Sequence, residues 1–166
     1  MEKVSNCARV AHLRLQQVVP ICNKAISQFK TDTTNGNQME VQINQDASYG
    51  VYAWIDSDLF TETLVILLKD IANCPDSDGF ISLKIKRIGS SICRILITCY
   101  EDVDLTECEG PMSTSECPFH NSALEDAQTF VAMHGGYMQI WKKSGSSQCL
   151  FELNLLCMSK NWEIEL

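Results

Sequence analysis

The chain has 166 residues, of which 45% are hydrophobic and 20% are charged, as is usual for one soluble domain with a sizeable core. Thirteen lysines and arginines stand against 21 aspartates and glutamates, and the net charge of −8 argues against nucleic acid and anionic membranes as partners. The longest apolar run, residues 64–68, is far shorter than the roughly 20 residues of a membrane helix, and the first residues lack the apolar region of a signal peptide. We therefore expect a protein of the cytoplasm or of another reducing compartment.

The first helix is predicted from apolar residues that recur every three or four positions. Pro20 must lie in its first turn, because a proline deeper in a helix removes a hydrogen bond and clashes with the preceding turn. The helix should therefore begin near residues 15–18, with residues 4–12 as a lead-in, and end at the polar residues 30–38. The apolar face consists of Ala11, Leu15, Val18, Cys22, Ile26 and Phe29.

Two short strands and a second helix follow. Polar and apolar residues alternate over residues 39–44, and residues 51–55 form a second short apolar segment, so both are predicted strands. Asp56 or Ser57 can accept a hydrogen bond from a free amide at the start of the next helix. An apolar stripe over residues 60–71 predicts that helix.

The rest of the chain contains two predicted hairpins and a helix between them. Alternation over residues 81–86 and 93–99 predicts an antiparallel hairpin with one solvated face. Apolar spacing predicts a helix over residues 122–133. Residues 137–142 and 149–157 alternate on either side of a Gly-Ser turn and predict the second hairpin.

A long segment without helical or strand periodicity, residues 101–120, separates the first hairpin from the third helix. It contains six acidic residues and no lysine or arginine. Long loops in compact domains are usually functional lids or disordered, so this segment is the first place to look for a function or for its loss. Cys108, Cys117 and His120 could offer three metal ligands on it.

Nine cysteines are an unusual number for this length, and most of them stand within apolar segments. The odd count and the lack of any Cys-x-x-Cys pair argue against a redox motif and a paired zinc site. We expect reduced thiols that pack as small hydrophobic groups. Two aromatic residues, Tyr137 and Trp141, share one strand face, where they either pack or form a partner surface.

This order of elements predicts an α+β fold, a two-layer sandwich in which a mixed, mostly antiparallel sheet carries helices on one face. A single domain accounts for all the predicted elements. We assign residues 13–158 to that domain, residues 1–12 to a connector stub and residues 159–166 to a tail.

Three segments carry a resemblance to a known family. They are residues 52–60 (YAWIDSDLF), residues 63–73 (TLVILLKDIAN) and residues 127–136 (AQTFVAMHGG). Together they resemble the catalytic ATP-binding domain of sensor histidine kinases, which shares its fold with gyrase, a heat-shock chaperone and the mismatch-repair ATPases. The resemblance covers about residues 13–157 and implies the histidine-kinase-like ATPase fold.

The resemblance also identifies the positions equivalent to a nucleotide pocket. The family's magnesium-holding asparagine falls on Asp70, which can still ligate magnesium, and the other Asn-rich position falls on Ile66. The adenine-reading Asp-x-Gly-x-Gly motif falls on residues 101–105. Glu101 replaces its aspartate, and Val103 and Leu105 replace its glycines.

The second glycine motif falls on residues 121–123, where Asn121 and Ala123 replace both glycines. Glycines there let backbone amides cradle phosphates at a helix N-terminus, so the replacements obstruct that approach. The six carboxylates of the preceding loop would also repel a nucleotide triphosphate. His134, in the His-Gly-Gly block, is predicted to interact with the end of its helix and not to act as a base.

These departures predict a degenerate, non-catalytic domain that has lost ordinary ATP binding and needs no cofactor. It would regulate a two-component signalling protein by contact with protein partners, such as a receiver domain or a kinase, and could form a homodimer through upstream helices. Two alternatives stay open. One is an active or atypical ATP-binding protein histidine kinase domain that holds Mg-ATP through Asp70, and the other is a phosphotransfer protein that borrows this fold.

Overall fold

The computed structural model describes residues 9–32, 39–45, 50–73, 79–99, 105–113, 116–117, 122–145 and 149–157. Within these ranges the chain forms three α-helices and eight strands, and a short 3-10 turn, Leu105–Glu107, precedes the sixth strand. In chain order the elements are β1 (Arg14–Gln17), α1 (Val18–Asp32), β2 (Glu40–Gln45), β3 (Tyr52–Ile55), α2 (Ser57–Ala72), β4 (Phe80–Ile88), β5 (Ile92–Thr98), β6 (Cys108–Met112), α3 (Ser122–Met133), β7 (Tyr137–Lys143) and β8 (Cys149–Leu156).

Six strands form the main sheet in the order β2-β4-β5-β8-β7-β6. The β2–β4 pair is parallel, and the other four pairs are antiparallel. The remaining strands, β1 and β3, form a separate antiparallel pair, and an isolated bridge links Ala53 of β3 to Cys157, the residue that follows β8. The predicted α+β fold with a mixed, mostly antiparallel sheet is confirmed.

The three helices cover one face of the main sheet. Alternate residues of β4, β5, β7 and β8 point toward them, and most of these residues are buried. The apolar stripes of the helices fill the space between the layers. No helix among the described residues is both long and apolar enough to cross a bilayer. The largest fully buried side chains are Phe29, Phe60, Phe151, Ile55, Leu64, Leu67, Leu68, Ile71, Ile81, Leu83, Ile85 and Ile95.

The start of the first helix was predicted correctly, but the residues before it were not. Helix α1 begins at Val18 and holds Pro20 in its first turn. Residues Arg14–Gln17, whose Leu15 fitted the helical stripe, instead form β1 and pair with β3. The side-chain amide of Gln16 also donates to the carbonyl of Ile55 at 2.9 Å. This strand depends on a partner about 40 residues away, which local periodicity does not report.

The segment predicted to be an unbroken loop contains an edge strand, β6, which pairs with β7. Its sequence has weak strand character because it includes Gly110 and Pro111. An edge strand tolerates a proline, and the register shift between Cys108 and Gly110 is a bulge at the backbone angle φ = 152° that glycine allows. The prediction of a loop was therefore wrong for Cys108–Met112.

Candidate functional site

Asp56 stands immediately before α2 and connects this helix to the N-terminal segment. Its Oδ1 accepts a hydrogen bond from the amide of Leu59 at 3.1 Å, so Asp56, of the two predicted candidates, is the N-cap. Its Oδ2 accepts from the amide of His12 at 2.9 Å. Burial acts to raise the pKa of Asp56, but hydrogen bonds from the amides of His12, Leu59 and Asp58 hold this pKa below its ordinary value.

His134 joins the end of α3 to the start of α2. Its Nδ1 lies 2.7 Å from the carbonyl of Phe130, and its Nε2 lies 3.2 Å from the amide of Asp56. The carbonyl can only accept and the amide can only donate, so the imidazole is neutral with its proton on Nδ1. The fully buried ring also meets Phe60 edge to face, with centroids 5.6 Å apart. We call Asp56, Phe130 and His134 the His134 clasp.

The two glycines after His134 complete this helix end. Gly135, at φ = 76°, donates to the carbonyl of Ala132, and Gly136 donates to the carbonyl of Val131, which is the hydrogen-bond pattern of a Schellman motif. A Cβ on Gly136 would lie 2.0 Å from the carbonyl oxygen of Asn154 in β8. The His-Gly-Gly block therefore has a structural role, and His134 contacts the helix end as predicted.

The His134 clasp fixes the relative direction of α2 and α3. The start of α2 meets the end of α3, and the two helices pack against each other, so they run antiparallel. Asp70 in the last turn of α2 and Ala123 in the first turn of α3 consequently lie at the opposite end of the pair. We call this the pocket-equivalent end.

At the pocket-equivalent end, α2 presents a buried carboxylate and an apolar side chain. Asp70 is 5% exposed, and its carbonyl accepts from the amide of Asn73, the C-cap residue. Ile66, one turn earlier, is half-buried and packs against the core. An isoleucine offers no ligand atom at the second position where the resemblance expects an asparagine.

The start of α3 differs chemically from a phosphate cradle. Ala123 is half-buried, and the first turn carries an exposed carboxylate, Glu125. A carboxylate near a helix N-terminus interacts favourably with the helix dipole, but it repels a phosphate at the same place. Three other predicted positions, Glu101, Val103 and Asn121, lie outside the described residues.

Leu105, which the resemblance places beside the purine, packs elsewhere. It begins the 3-10 turn and contacts a small apolar cluster on the sheet face away from the helices. The members of this cluster are Leu96, Leu150, Leu105, Cys108 and Trp141.

The seven described cysteines are free thiols, and six of them are buried. Burial raises the pKa of both Cys22 and Cys93 to about 12, so both remain protonated packing groups at neutral pH. No group of three or more potential metal ligands comes together within the described ranges. Cys108 and Cys117 are described but His120 is not, so metal binding by this trio stays a prediction.

Sequence comparison and structure comparison give different results. Neither a protein-family model nor a curated protein sequence matches the chain. Among solved structures, a mycobacterial sensor histidine kinase, MprB, is similar over 89% of this chain and 99% of its own, with a TM-score of 0.66 and 11% identity. The nucleotide-free catalytic domain of the histidine kinase ThkA is similar over 90% of this chain and 99% of its own, with a TM-score of 0.57 and 11% identity.

A third similar structure is full-length ShkA in complex with AMPPNP, with a TM-score of 0.62 and 13% identity. The match covers 92% of this chain and 33% of the ShkA chain. At these identities the likeness concerns the fold. The chain therefore has the fold of histidine kinase catalytic domains.

Proposed function

We propose that this chain is a non-catalytic, regulatory histidine-kinase-like ATPase domain of a signal-transduction protein. The observation that carries the proposal is the start of α3. There the methyl group of Ala123 and the carboxylate of Glu125 occupy the turn at which the resemblance expects glycine amides and a phosphate. A domain that keeps the fold and lacks the cradle can act through contacts with other proteins.

The charge at the start of α3 supports the same proposal. Glu125 in its first turn is an exposed carboxylate. A nucleotide triphosphate would approach this group with several negative charges of its own. The 5% exposure of Asp70 leaves little of its carboxylate available to a metal ion from solvent.

Contacts of the N-terminal segment provide a route by which an upstream part of the protein can influence the domain. Arg9 pairs with Glu62 of α2 at 2.9 Å, and its guanidinium lies 5.1 Å from the ring centroid of Phe130 in α3. The amide of His12 bonds to Asp56. A displacement of residues 9–12 would therefore act on both helices of the His134 clasp, which is how we propose that regulation reaches the domain.

The partners follow from this role and are part of the proposal. A receiver domain or a kinase would bind the helices near the pocket-equivalent end, and upstream helices would allow a homodimer. No resident cofactor is needed for such contacts, because the helix pair itself is the element that changes position.

A second candidate function is an atypical ATP-binding kinase domain. Asp70 keeps a carboxylate where the resemblance places a magnesium ligand, and the similar ShkA structure is a complex with AMPPNP. This function requires that a nucleotide binds measurably, which separates it from the first candidate.

Titration calorimetry of the full 166-residue chain with Mg-ATP and Mg-ADP at low salt tests the proposal. We expect no saturable heat at millimolar nucleotide. Micromolar binding that Asp70→Ala abolishes would contradict the proposal and favour the second candidate. Asp58→Ala, which removes an exposed carboxylate at the other end of α2, is the matched control and should leave any binding unchanged.

A further inference from the structure

We call the sheet face away from the helices the outer face. It carries a group of positively charged side chains, although the chain as a whole has a net charge of −8. The strand register brings cations from β4 and β5 together there: Lys84 and Lys86 lie two residues apart on β4, and Lys86 faces Arg94 across the strand pair. Side chains two residues apart on one strand project from the same face at a spacing of about 7 Å. Lys84 and Lys86 are both exposed. We call these three residues the basic strip.

Next to the basic strip, β8 places polar groups that are almost fully buried. Glu152 is 3% exposed and pairs with Arg94 at 3.1 Å. Asn154, which faces Arg94 across the strands, is 2% exposed, and its Nδ2 has no hydrogen-bond partner among the described residues. Buried donors are normally satisfied, so this amide can receive an acceptor from a bound molecule.

Exposed apolar groups border the same area. Tyr137 of β7 faces Asn154 across the strands and is 51% exposed, and Leu156 at the end of β8 is 46% exposed. Half-exposed apolar groups beside cations and a buried donor form a mixed surface, as in interfaces with a polar rim. Of the two aromatic residues predicted either to pack or to form a partner surface, Trp141 packs against the apolar cluster and Tyr137 lies exposed beside the basic strip.

We propose that the basic strip and its apolar border bind an acidic, extended segment of a partner protein. Carboxylates of the segment would pair with Lys84 and Lys86, an acceptor would reach Asn154 after small rotamer changes, and apolar side chains between the carboxylates would cover Tyr137 and Leu156. The proposal rests on the proposed role in protein contacts, but it uses the other face of the sheet and does not depend on the loss of ATP binding.

Charge complementarity favours an acidic peptide segment as the molecule that binds the basic strip. The net charge of −8 repels a long polyanion such as nucleic acid at a distance, whereas a short acidic segment needs only the local field of Lys84 and Lys86, because Glu152 already neutralises Arg94. Alternate side chains of an extended segment point the same way, so successive carboxylates would match the spacing of Lys84 and Lys86. A second copy of this chain is a less suitable occupant, because the basic strip would have to meet itself in a symmetric dimer.

The test is an NMR titration of the ¹⁵N-labelled full chain with the peptide Glu-Val-Glu-Thr-Glu-Val at low salt. We expect saturable shifts concentrated in the amides of β4, β5 and β8 and an affinity that falls as salt is added. The same peptide with lysine in place of glutamate should produce no saturable shifts. Lys86→Glu should weaken binding at least fivefold, and Lys84→Glu/Lys86→Glu should abolish it.

Lys142→Glu is the matched control, because it changes the net charge equally and lies at an exposed strand position on the helix-covered face. It should change the affinity less than twofold. Three results would overturn the proposal. They are equal losses of peptide affinity in Lys86→Glu and Lys142→Glu, chemical shift changes that map to the helices, and tighter binding of an oligothymidylate than of the peptide. A thermal unfolding curve of each variant verifies that it is folded, and the separate ATP titration keeps the two proposals distinguishable.

Discussion

The two ends of the α2–α3 pair are built in different ways. At one end, the buried imidazole and the N-cap carboxylate of the His134 clasp and the adjoining Schellman motif satisfy backbone groups that two helix ends leave open. At the pocket-equivalent end, Ala123 and Glu125 stand where the resemblance expects a phosphate cradle. The His-Gly-Gly block, one of the segments that carry the resemblance, thus holds the fold together.

The two ends meet different requirements: the His134 clasp stabilises the fold, whereas a phosphate cradle at the other end would serve nucleotide binding. A helix end needs its amides and carbonyls satisfied whether or not a nucleotide binds, so the residues of the His134 clasp keep their structural role if the site is lost. Glycines of a phosphate cradle serve only the ligand, and a side chain there costs the fold nothing. Substitutions at the two ends should therefore differ in their effect on stability.

The largest effect is expected for Gly136→Ala. The added methyl group would meet the carbonyl oxygen of Asn154 at 2.0 Å, and backbone has to move to relieve this contact. We expect the free energy of unfolding to fall by about 3 kcal/mol, measured by urea denaturation. Gly145→Ala is the control. Gly145 has a positive φ but open space around it, so this substitution should lower the free energy of unfolding by about 1 kcal/mol. Equal losses for the two variants would contradict the account.

The next largest effect is expected for His134→Ala. The change removes a buried ring and leaves the amide of Asp56 and the carbonyl of Phe130 without their partner. We expect a loss of about 2 to 4 kcal/mol in the free energy of unfolding. His12→Ala should lie within about 0.5 kcal/mol of the wild type, because His12 contributes a backbone amide to Asp56. A small loss for His134→Ala would show that the His134 clasp does not stabilise the helix pair.

Asp56→Asn gives a smaller effect that depends on pH. The folded state holds the pKa of Asp56 below its unfolded value, so its ionised form stabilises the fold above about pH 4, and this contribution is lost as the pH falls through the folded pKa. Asparagine keeps the N-cap but not the charge. We expect wild type to be more stable than Asp56→Asn at neutral pH and the difference to vanish at low pH, as measured by urea denaturation across the pH range. A difference that stays constant across this range would contradict the assignment.

The smallest effect is expected at the pocket-equivalent end. Ala123→Gly should cost less than about 1 kcal/mol of stability, the usual difference between the two residues in a helix. It should not create ATP binding by itself, because Ile66 and Glu125 remain. Urea denaturation and calorimetry measure the two quantities. ATP binding gained by this one change would show that the methyl group alone closes a functional site.

Much of the fold was predictable because its main signals are local. The N-cap at Asp56, the proline in the first turn of α1 and the alternation along β4, β5, β7 and β8 all act over a few residues. The strand β1 and the edge strand β6 were missed. Both depend on a distant partner strand, and the residues of β6, including Gly110 and Pro111, have weak strand character.

The site was only partly predictable for a similar reason. The sequence identified His134 as a helix-end residue, but its bond to the amide of Asp56 spans 78 positions and has no sequence signature. The net charge of −8 argued against nucleic acid and anionic membranes as partners and did not indicate that the sheet register places Lys84, Lys86 and Arg94 together. A total charge carries no information about which residues share a face.

The central claim, that the domain keeps the fold without ordinary ATP binding, is tested most directly by the effect of Mg-ATP on stability. A ligand at a hundred times its dissociation constant raises the free energy of unfolding by about 2.7 kcal/mol. We predict that millimolar Mg-ATP leaves the urea denaturation midpoint of the full chain unchanged. A rise of that size, lost in Asp70→Ala and kept in Asp58→Ala, would contradict the account.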